Sequence, residues 1–122
     1  MIPMRQLHVP VYNREHLLAS IGSIEAVNAI GVEFTKQAPE LITQLKTAFS
    51  QEDYSTMQLL SLKLATLAHS AGAIQAAEFA KTIFKEASDE KQDKDVIAIA
   101  LACIQTSLKD FSYLLLRFTQ SS

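Results

Sequence analysis

The chain has 122 residues, 48% of them hydrophobic and 20% charged, with a formal net charge of −2. These values predict one folded domain, argue against disorder, and provide no basic excess for a nucleic-acid partner. The single cysteine, Cys103, cannot form an intramolecular disulfide and is expected to be buried. No signal peptide is visible, and the apolar run at residues 96–104 is too short to span a bilayer. We therefore expect a cytoplasmic protein without membrane insertion.

The first half of the chain predicts a loose segment followed by three helices. Residues 1–12 contain two prolines and are expected to form a flexible N-terminal arm. Asn13 is a suitable N-cap for a short helix over Arg14–Ile21. Ser23 is a suitable cap for a second helix. Pro39 is tolerated in a first helical turn, so we expect it to start a third helix that ends near residue 49.

The second half predicts three further helices separated by polar breaks. The first runs from about residue 57 to about residue 70, and the next covers residues 74–87. The charged loop 88–94 precedes a last helix over residues 95–118, which has an acidic residue at its start and Arg117 near its end. The tail at residues 119–122 is expected to fray.

Nothing in the chain is typical of a β-strand. There is no run of period two and no Asn-Gly or Asp-Gly hairpin signal, and the chain has only three glycines. The predicted fold is therefore all-α. We expect one domain over residues 13–118, an antiparallel four-helix bundle with an additional short N-terminal helix.

The helix predicted from residue 57 onward has two unlike faces. Leucines 60, 64 and 67 recur at helical spacing and, with Ala71 and Ile74, predict a buried seam. His69 lies about 180° from the centre of that seam, among mostly small, neutral residues. An imidazole is partly neutral at pH 7, so a protruding one could accept a phosphoryl group from another protein. The binding residues predicted around it are Gln58, Leu62, Ala65, Thr66, Gly72, Ala73 and Ala76.

Two simpler interpretations of His69 remain open. A lone histidine on a solvent face is commonly just a hydrated residue. Alternatively, Leu59 and Leu62 widen the apolar arc of the helix, which could then lie centrally in the bundle and partly enclose His69. No metal or other cofactor is predicted, because His16 has no second ligand three or four residues later.

Residues 64–87, which read LATLAHSAGAIQAAEFAKTIFKEA, resemble the core of histidine-containing phosphotransfer (HPt) domains. The pattern of that family is roughly Ala-His-x-Leu-Lys-Gly-Ser-Ala-x-x-Ile-Gly-Ala, and a weaker likeness extends over residues 11–118. The resemblance implies an antiparallel four-helix bundle with a phosphorylated histidine exposed in the middle of a helix. The implied partner is a receiver domain of a response regulator or hybrid sensor kinase, and the implied role is phosphoryl transfer rather than metabolic catalysis.

Two alignments with the family pattern compete. In the first, His69 is the phospho-acceptor, and a Leu-Lys-Gly-Ser turn is missing after it. In the second there is no gap, so Ala65 occupies the acceptor position and His69 the glycine position. Both alignments lack the family's lysine one turn after the acceptor, since Gly72 or Ala68 stands there instead.

Three functions therefore remain open at this point. The first is a phosphorelay intermediate that carries phosphate on His69. The second is a degenerate HPt-like interaction module that binds receiver domains without transfer. The third is a bundle that self-associates as a homodimer, because residues 96–104 are apolar on every face of the last helix.

Overall fold

The computed structural model describes residues 8–120, which form five α-helices joined by short turns. The helices are α1 (Arg14–Ile21), α2 (Ile24–Ser50), α3 (Tyr54–Ser70), α4 (Ile74–Ser88) and α5 (Lys94–Gln120). No strand occurs in this part of the chain. The predicted all-α fold is confirmed, and α1 has the predicted bounds.

The four longer helices form an antiparallel bundle. The connections at residues 51–53, 71–73 and 89–93 are short, so each helix runs back along the one before it. Helices α2 to α5 each pack on their neighbours in the chain, and α5 also packs on α2 and so closes the ring. The backbones of α3 and α5 do not approach each other closely, so these helices lie diagonally across the bundle. Helix α1 packs mainly on α2, and its Arg14 also reaches Phe118 of α5.

The core is a continuous apolar cluster between these helices. Its largest fully buried side chains include Phe79, Phe111, Leu45, Met57 and Leu64, each worth about 1.5–3 kcal/mol of hydrophobic stabilisation. The contact between α3 and α4 is the most extensive one. The buried positions of these two helices are mostly alanines, which allow the two backbones to approach closely.

The structure corrects the prediction of separate helices before and after Pro39, because α2 continues through that residue. Pro39 has no backbone N–H and leaves one helical carbonyl without its usual donor. Pro39 itself is exposed, so water can hydrate that carbonyl. Buried residues on both sides, including Phe34 and Leu41, hold the two halves of α2 in one line against the core.

Helix α3 begins three residues earlier than predicted, directly after Asp53. The backbone N–H of Thr56 donates to Asp53 Oδ1 at 3.2 Å, and the Thr56 hydroxyl donates to Asp53 Oδ2 at 2.6 Å. Asp53 is therefore the N-cap of α3. The other predicted boundaries differ from the observed ones by one or two residues, as is usual at fraying helix ends.

The segment before α1 lies against the turn between α3 and α4. Three hydrogen bonds join them: Asn13 N to Gly72 O (2.8 Å), Gln75 N to Pro10 O (3.0 Å) and Gln75 Nε2 to Val9 O (3.3 Å). The described part of the predicted flexible arm is thus bound to the bundle. Residues 1–7 of that arm, and residues 121 and 122 of the predicted tail, lie outside the described residues.

Aromatic side chains gather at this end of the bundle. The Tyr12 ring packs on Phe111 with centroids 4.5 Å apart, and Phe34 meets Phe111 edge-on at 5.4 Å. The Arg14 guanidinium lies 4.5 Å from the Phe118 ring centroid. We call this the covered end. The opposite end, formed by the turns 51–53 and 89–93, is the open end.

Helix α5 is the only helix within residues 8–120 that is long and apolar enough to cross a membrane by length and composition. Core helices of water-soluble bundles meet the same criterion. Eight residues of α5, among them Ile97, Ile104 and Phe111, are buried in the bundle. The predicted run at residues 96–104 is accordingly buried on one side and exposed on the other, with Ile99 48% exposed.

Candidate functional site

The outward side of α3 exposes a mixed apolar and polar surface. Leu59 is 73% exposed and Leu62 is 51% exposed, so one turn of α3 presents two neighbouring leucines to solvent. They lie on the side of α3 opposite the buried residues Met57, Leu64 and Ala68. We call this surface the α3 face and define it by the exposed residues Leu59, Leu62, Lys63, Thr66, His69 and Ser70.

His69 is exposed in the last turn of α3, one residue before the helix ends. Its side chain makes no hydrogen bond or ion pair with any residue that the structure describes. Its backbone carbonyl accepts a hydrogen bond from Gly72 N at 3.1 Å, within the turn to α4. The HPt resemblance implies an acceptor in the middle of the helix, so His69 lies nearer to the end of α3 than that pattern implies.

Most of the residues predicted to surround His69 do not share its surface. Ala65, Gly72, Ala73 and Ala76 are all buried, so the prediction of one exposed face containing them is wrong. For the last three the reason is that α3 ends at Ser70, and the turn at residues 71–73 redirects the chain. Helical angles computed beyond Ser70 therefore do not apply.

Ala65 is buried because it lies on the flank of α3 that faces α4. Gln58 Nε2 donates to the Ala87 carbonyl of α4 at 3.1 Å, and Ala65 lies two turns further along the same flank. Gln58 is half-buried and Ala65 is 5% exposed. Of the seven predicted binding residues, only Leu62 and Thr66 are exposed on the same face as His69.

Among the described residues, few charged side chains line the grooves beside the α3 face. Lys63 lines a groove of 370 Å³ between α2 and α3, which Glu40 of α2 also lines. A second groove, of 220 Å³, reaches Ser70 at the end of α3, and its charged lining residue is Glu33. The two positions that the alignments offer for the family's lysine, Ala68 and Gly72, are both buried. Within residues 8–120, the grooves beside the α3 face therefore provide little positive charge for a phosphoryl group.

Metal chemistry receives no support from the described residues. No group of three or more histidine, cysteine, aspartate or glutamate residues in this part of the chain could hold a metal ion. His8 and His16 are both exposed and lie before or within α1.

Leu59 is a residue that the sequence interpretation placed incorrectly. One of the open alternatives placed it in a widened apolar arc, but it is the most exposed of the large hydrophobic residues described, so that alternative is wrong for Leu59. The signal that identifies it is its angular distance from the seam of leucines 60, 64 and 67. A leucine that lies well away from a complete apolar seam on the helix surface is not expected to reach the core.

Comparison of the chain with protein-family models, with curated proteins and with solved structures finds no significant match. A functional assignment therefore depends on the residue pattern at 64–87 and on the geometry of the α3 face.

Proposed function

We propose that this protein is a cytoplasmic, HPt-like interaction module that binds receiver domains of two-component signalling proteins through the α3 face without carrying phosphate itself. The observation that supports this most directly is the occupant of the mid-helix position. Ala65 lies five residues before the end of α3, is buried, and has no nucleophilic atom. His69, the histidine of α3, lies in its last turn.

The chemistry of the α3 face suits docking better than transfer. Two exposed leucines, Leu59 and Leu62, offer apolar area that a partner would remove from water. Phosphoryl transfer, in contrast, depends on positive charge placed around the transferred group. The groove that reaches the end of α3 carries Glu33, which would repel that group.

The test is a binding titration against a panel of purified receiver domains, each with and without beryllium fluoride to mimic the aspartyl phosphate. We expect one or more receivers to bind, and Leu62→Asp to weaken binding about tenfold or more, as for a central interface residue. His69→Ala should leave the affinity within about twofold, as for a peripheral contact. Lys85→Asp, at an exposed position on α4, is the matched control and should have no effect.

Two results would contradict this proposal. Failure of the unmodified chain to bind any receiver would remove the partner class. Equal binding by the Leu62→Asp and Lys85→Asp variants would remove the α3 face as the docking surface.

A second candidate is phosphotransfer through His69, which is favoured by the exposure of that side chain. In that reaction a ring nitrogen of His69 forms a P–N bond as the P–O bond to the receiver's aspartate breaks and the carboxylate leaves. A radiolabelled phosphorylated receiver would then transfer an acid-labile, base-stable label to the chain. Transfer that disappears in His69→Ala would replace the docking proposal, whereas no transfer with binding retained would support it.

A further inference from the structure

A line of exposed residues runs along α5 with the spacing of a coiled-coil seam. Successive members are three and four residues apart in strict alternation, which is the heptad pattern. Ile99 is 48% exposed, Tyr113 is 62% exposed and Leu116 is 52% exposed. We call this line the α5 stripe, and its members are Ile99, Ala102, Thr106, Lys109, Tyr113, Leu116 and Gln120.

The α5 stripe lies on the side of the helix opposite to the core. The buried residues Ile97, Ile104 and Phe111 point into the bundle, about half a helical turn away from the stripe. A helix at a protein surface usually carries charged residues along its outermost line. On the α5 stripe Lys109 is the only charged residue, so the line from Ile99 to Leu116, about 26 Å long at 1.5 Å per residue, is suited to contact with another helix.

A groove beside the stripe adds to this surface. It has a volume of 650 Å³ and lies between α2 and α5. Pro39, Ile42 and Leu108 line it, together with Ala102 and Thr106 of the stripe. The small side chain of Ala102 leaves room for a large side chain from a partner.

The stripe is complementary to itself when two copies run in opposite directions. We propose that a second copy of this chain binds here, with the two α5 helices antiparallel about a two-fold axis near residues 107 and 108. In this register Ile99 of each copy faces Leu116 of the other. The small Ala102, beside the groove, faces the large Tyr113 ring.

Charged residues beside the α5 stripe also favour the antiparallel arrangement. Asp95 lies near the start of α5 and Arg117 near its end. In the antiparallel register Arg117 faces position 98, so Asp95 of the other copy is about 4.5 Å further along the axis, within reach of an arginine side chain. A parallel pair would instead bring Arg117 to Arg117, which opposes that arrangement.

The proposed dimer leaves the α3 face free. Because α3 and α5 are diagonal in the bundle, contact through α5 places the two α3 faces on the outer sides of the pair. Lys109 of each copy lies close to the two-fold axis and faces Thr106. Repulsion between the two ammonium groups there limits the affinity.

The first experiment is sedimentation equilibrium of the full chain over a wide concentration range. The unmodified chain should show a monomer–dimer equilibrium, and Tyr113→Glu or Leu116→Glu should weaken dimerisation about tenfold or more. Leu59→Glu, a matched change of an exposed leucine on α3, should leave the equilibrium unchanged. A strict monomer at all concentrations, or equal loss in the Leu59→Glu control, would overturn the proposal.

The second experiment tests direction, using chains in which Cys103→Ser removes the native thiol. Chains with Ile99→Cys are mixed with chains with Leu116→Cys under mild oxidation. Antiparallel pairing predicts a covalent dimer containing one chain of each kind, while either variant alone stays mostly uncrosslinked. Efficient crosslinking of each variant with itself would overturn the antiparallel register.

The third experiment uses the lysine near the axis. Lys109→Leu should tighten the dimer, whereas Lys85→Leu on α4 should not. Phosphatidylcholine vesicles serve as the competing occupant of the apolar stripe. Vesicle binding by the unmodified chain that is lost in Leu116→Glu would assign the stripe to a membrane surface and overturn the proposal.

Discussion

The two ends of the bundle are held together in different ways. At the covered end, residues 9–13 hydrogen bond to the α3–α4 turn, and the Tyr12 and Phe34 rings pack on the buried Phe111. At the open end, the turns themselves carry polar and exposed interactions, such as the cap at Asp53 and the ion pair between Glu52 and Lys94. Surface ion pairs contribute little, whereas buried aromatic contacts contribute much.

The same contrast distinguishes the two ends of α3, the helix that carries the candidate site. His69 lies in the last turn of α3, at the covered end, next to the turn to which Asn13 and Pro10 hydrogen bond. The last turn of α3 is thus fixed by contacts from outside its own helix. The start of α3, at the open end, has its own cap at Asp53 and a hydrogen bond from Gln58 to α4. Three predictions test the contrast, from the largest expected effect to the smallest.

Phe111→Ala should have the largest effect on stability. Phe111 is fully buried and joins Tyr12 to Phe34, so the variant leaves a cavity at the centre of the covered end. We expect a loss of about 3–5 kcal/mol in the free energy of unfolding, measured by urea titration. Phe49→Ala, a half-buried phenylalanine near the open end, should cost clearly less. Equal losses would show that the two ends do not differ.

Backbone conformation should give effects of opposite sign at the two ends. Gly72 has φ of +80° at the covered end, and Glu52 has φ of +54° at the open end. A side chain in this left-handed region costs about 1–2 kcal/mol, so Gly72→Ala should destabilise the protein by about that amount. Glu52→Gly should stabilise it by up to about 1 kcal/mol, since glycine relieves the same cost but is more flexible when unfolded.

Thermal or urea unfolding of both variants checks this prediction. A β-carbon on Gly72 would meet only ordinary contacts, such as Asn13 O at 3.4 Å, so the cost arises from the backbone. Gly72→Asn should therefore cost less than Gly72→Ala, because asparagine tolerates this conformation better. If the alanine and asparagine variants were equally destabilised, backbone strain would not be the cause.

The smallest effects are expected at extreme pH. Burial raises the pKa of the Tyr12 phenol above its ordinary value of 10.0, and the Arg14 charge only partly opposes this. The stabilisation that the neutral Tyr12 phenol provides is complete below pH 10.0 and is lost as the pH rises through the folded-state pKa of Tyr12. Hydrogen bonds from Thr56 hold the pKa of Asp53 below its ordinary value of 3.8. The stabilisation that the ionised Asp53 provides is therefore lost as the pH falls through its folded-state pKa.

Each end should therefore have its own pH dependence. Tyr12→Phe should reduce the fall in unfolding free energy at alkaline pH and leave the acid side unchanged. Asp53→Asn keeps a capping oxygen but no titration, so it should reduce only the fall at acid pH. Unfolding midpoints measured across the pH range separate the two. A change on the wrong side in either variant would contradict the assignment.

Much of the fold could be predicted from periodicity and caps. Helix α1 has its predicted bounds, and the four-helix arrangement follows from apolar stripes and short polar breaks. The continuity of α2 through Pro39 could not be predicted, because it depends on tertiary packing of Phe34 and Leu41 on both sides of the proline. The missing N–H and the ring of Pro39 favour a break in the helix, but the burial of residues on both sides outweighs that cost.

The site could be predicted only in part. A helical wheel placed His69 opposite the leucine seam, and its side chain is exposed. The same wheel misplaced Ala73 and Ala76, because it assumed a helix beyond Ser70. It also gave no information on the flank that α4 covers, where Ala65 is buried. That flank depends on the close contact of α3 with α4, which is a property of the pair and not of α3 alone.

The diagonal placement of α3 and α5 has a consequence for linkage between the two proposed contacts. A ligand on one helix influences the other only by displacing α2 or α4, which are packed tightly between them. The coupling free energy should therefore be close to zero, and each association should have the same equilibrium constant whether or not the other has formed. Two occupied sites on a dimer would then act through avidity alone, so that the dimer is retained longer on clustered receiver domains without any change of shape.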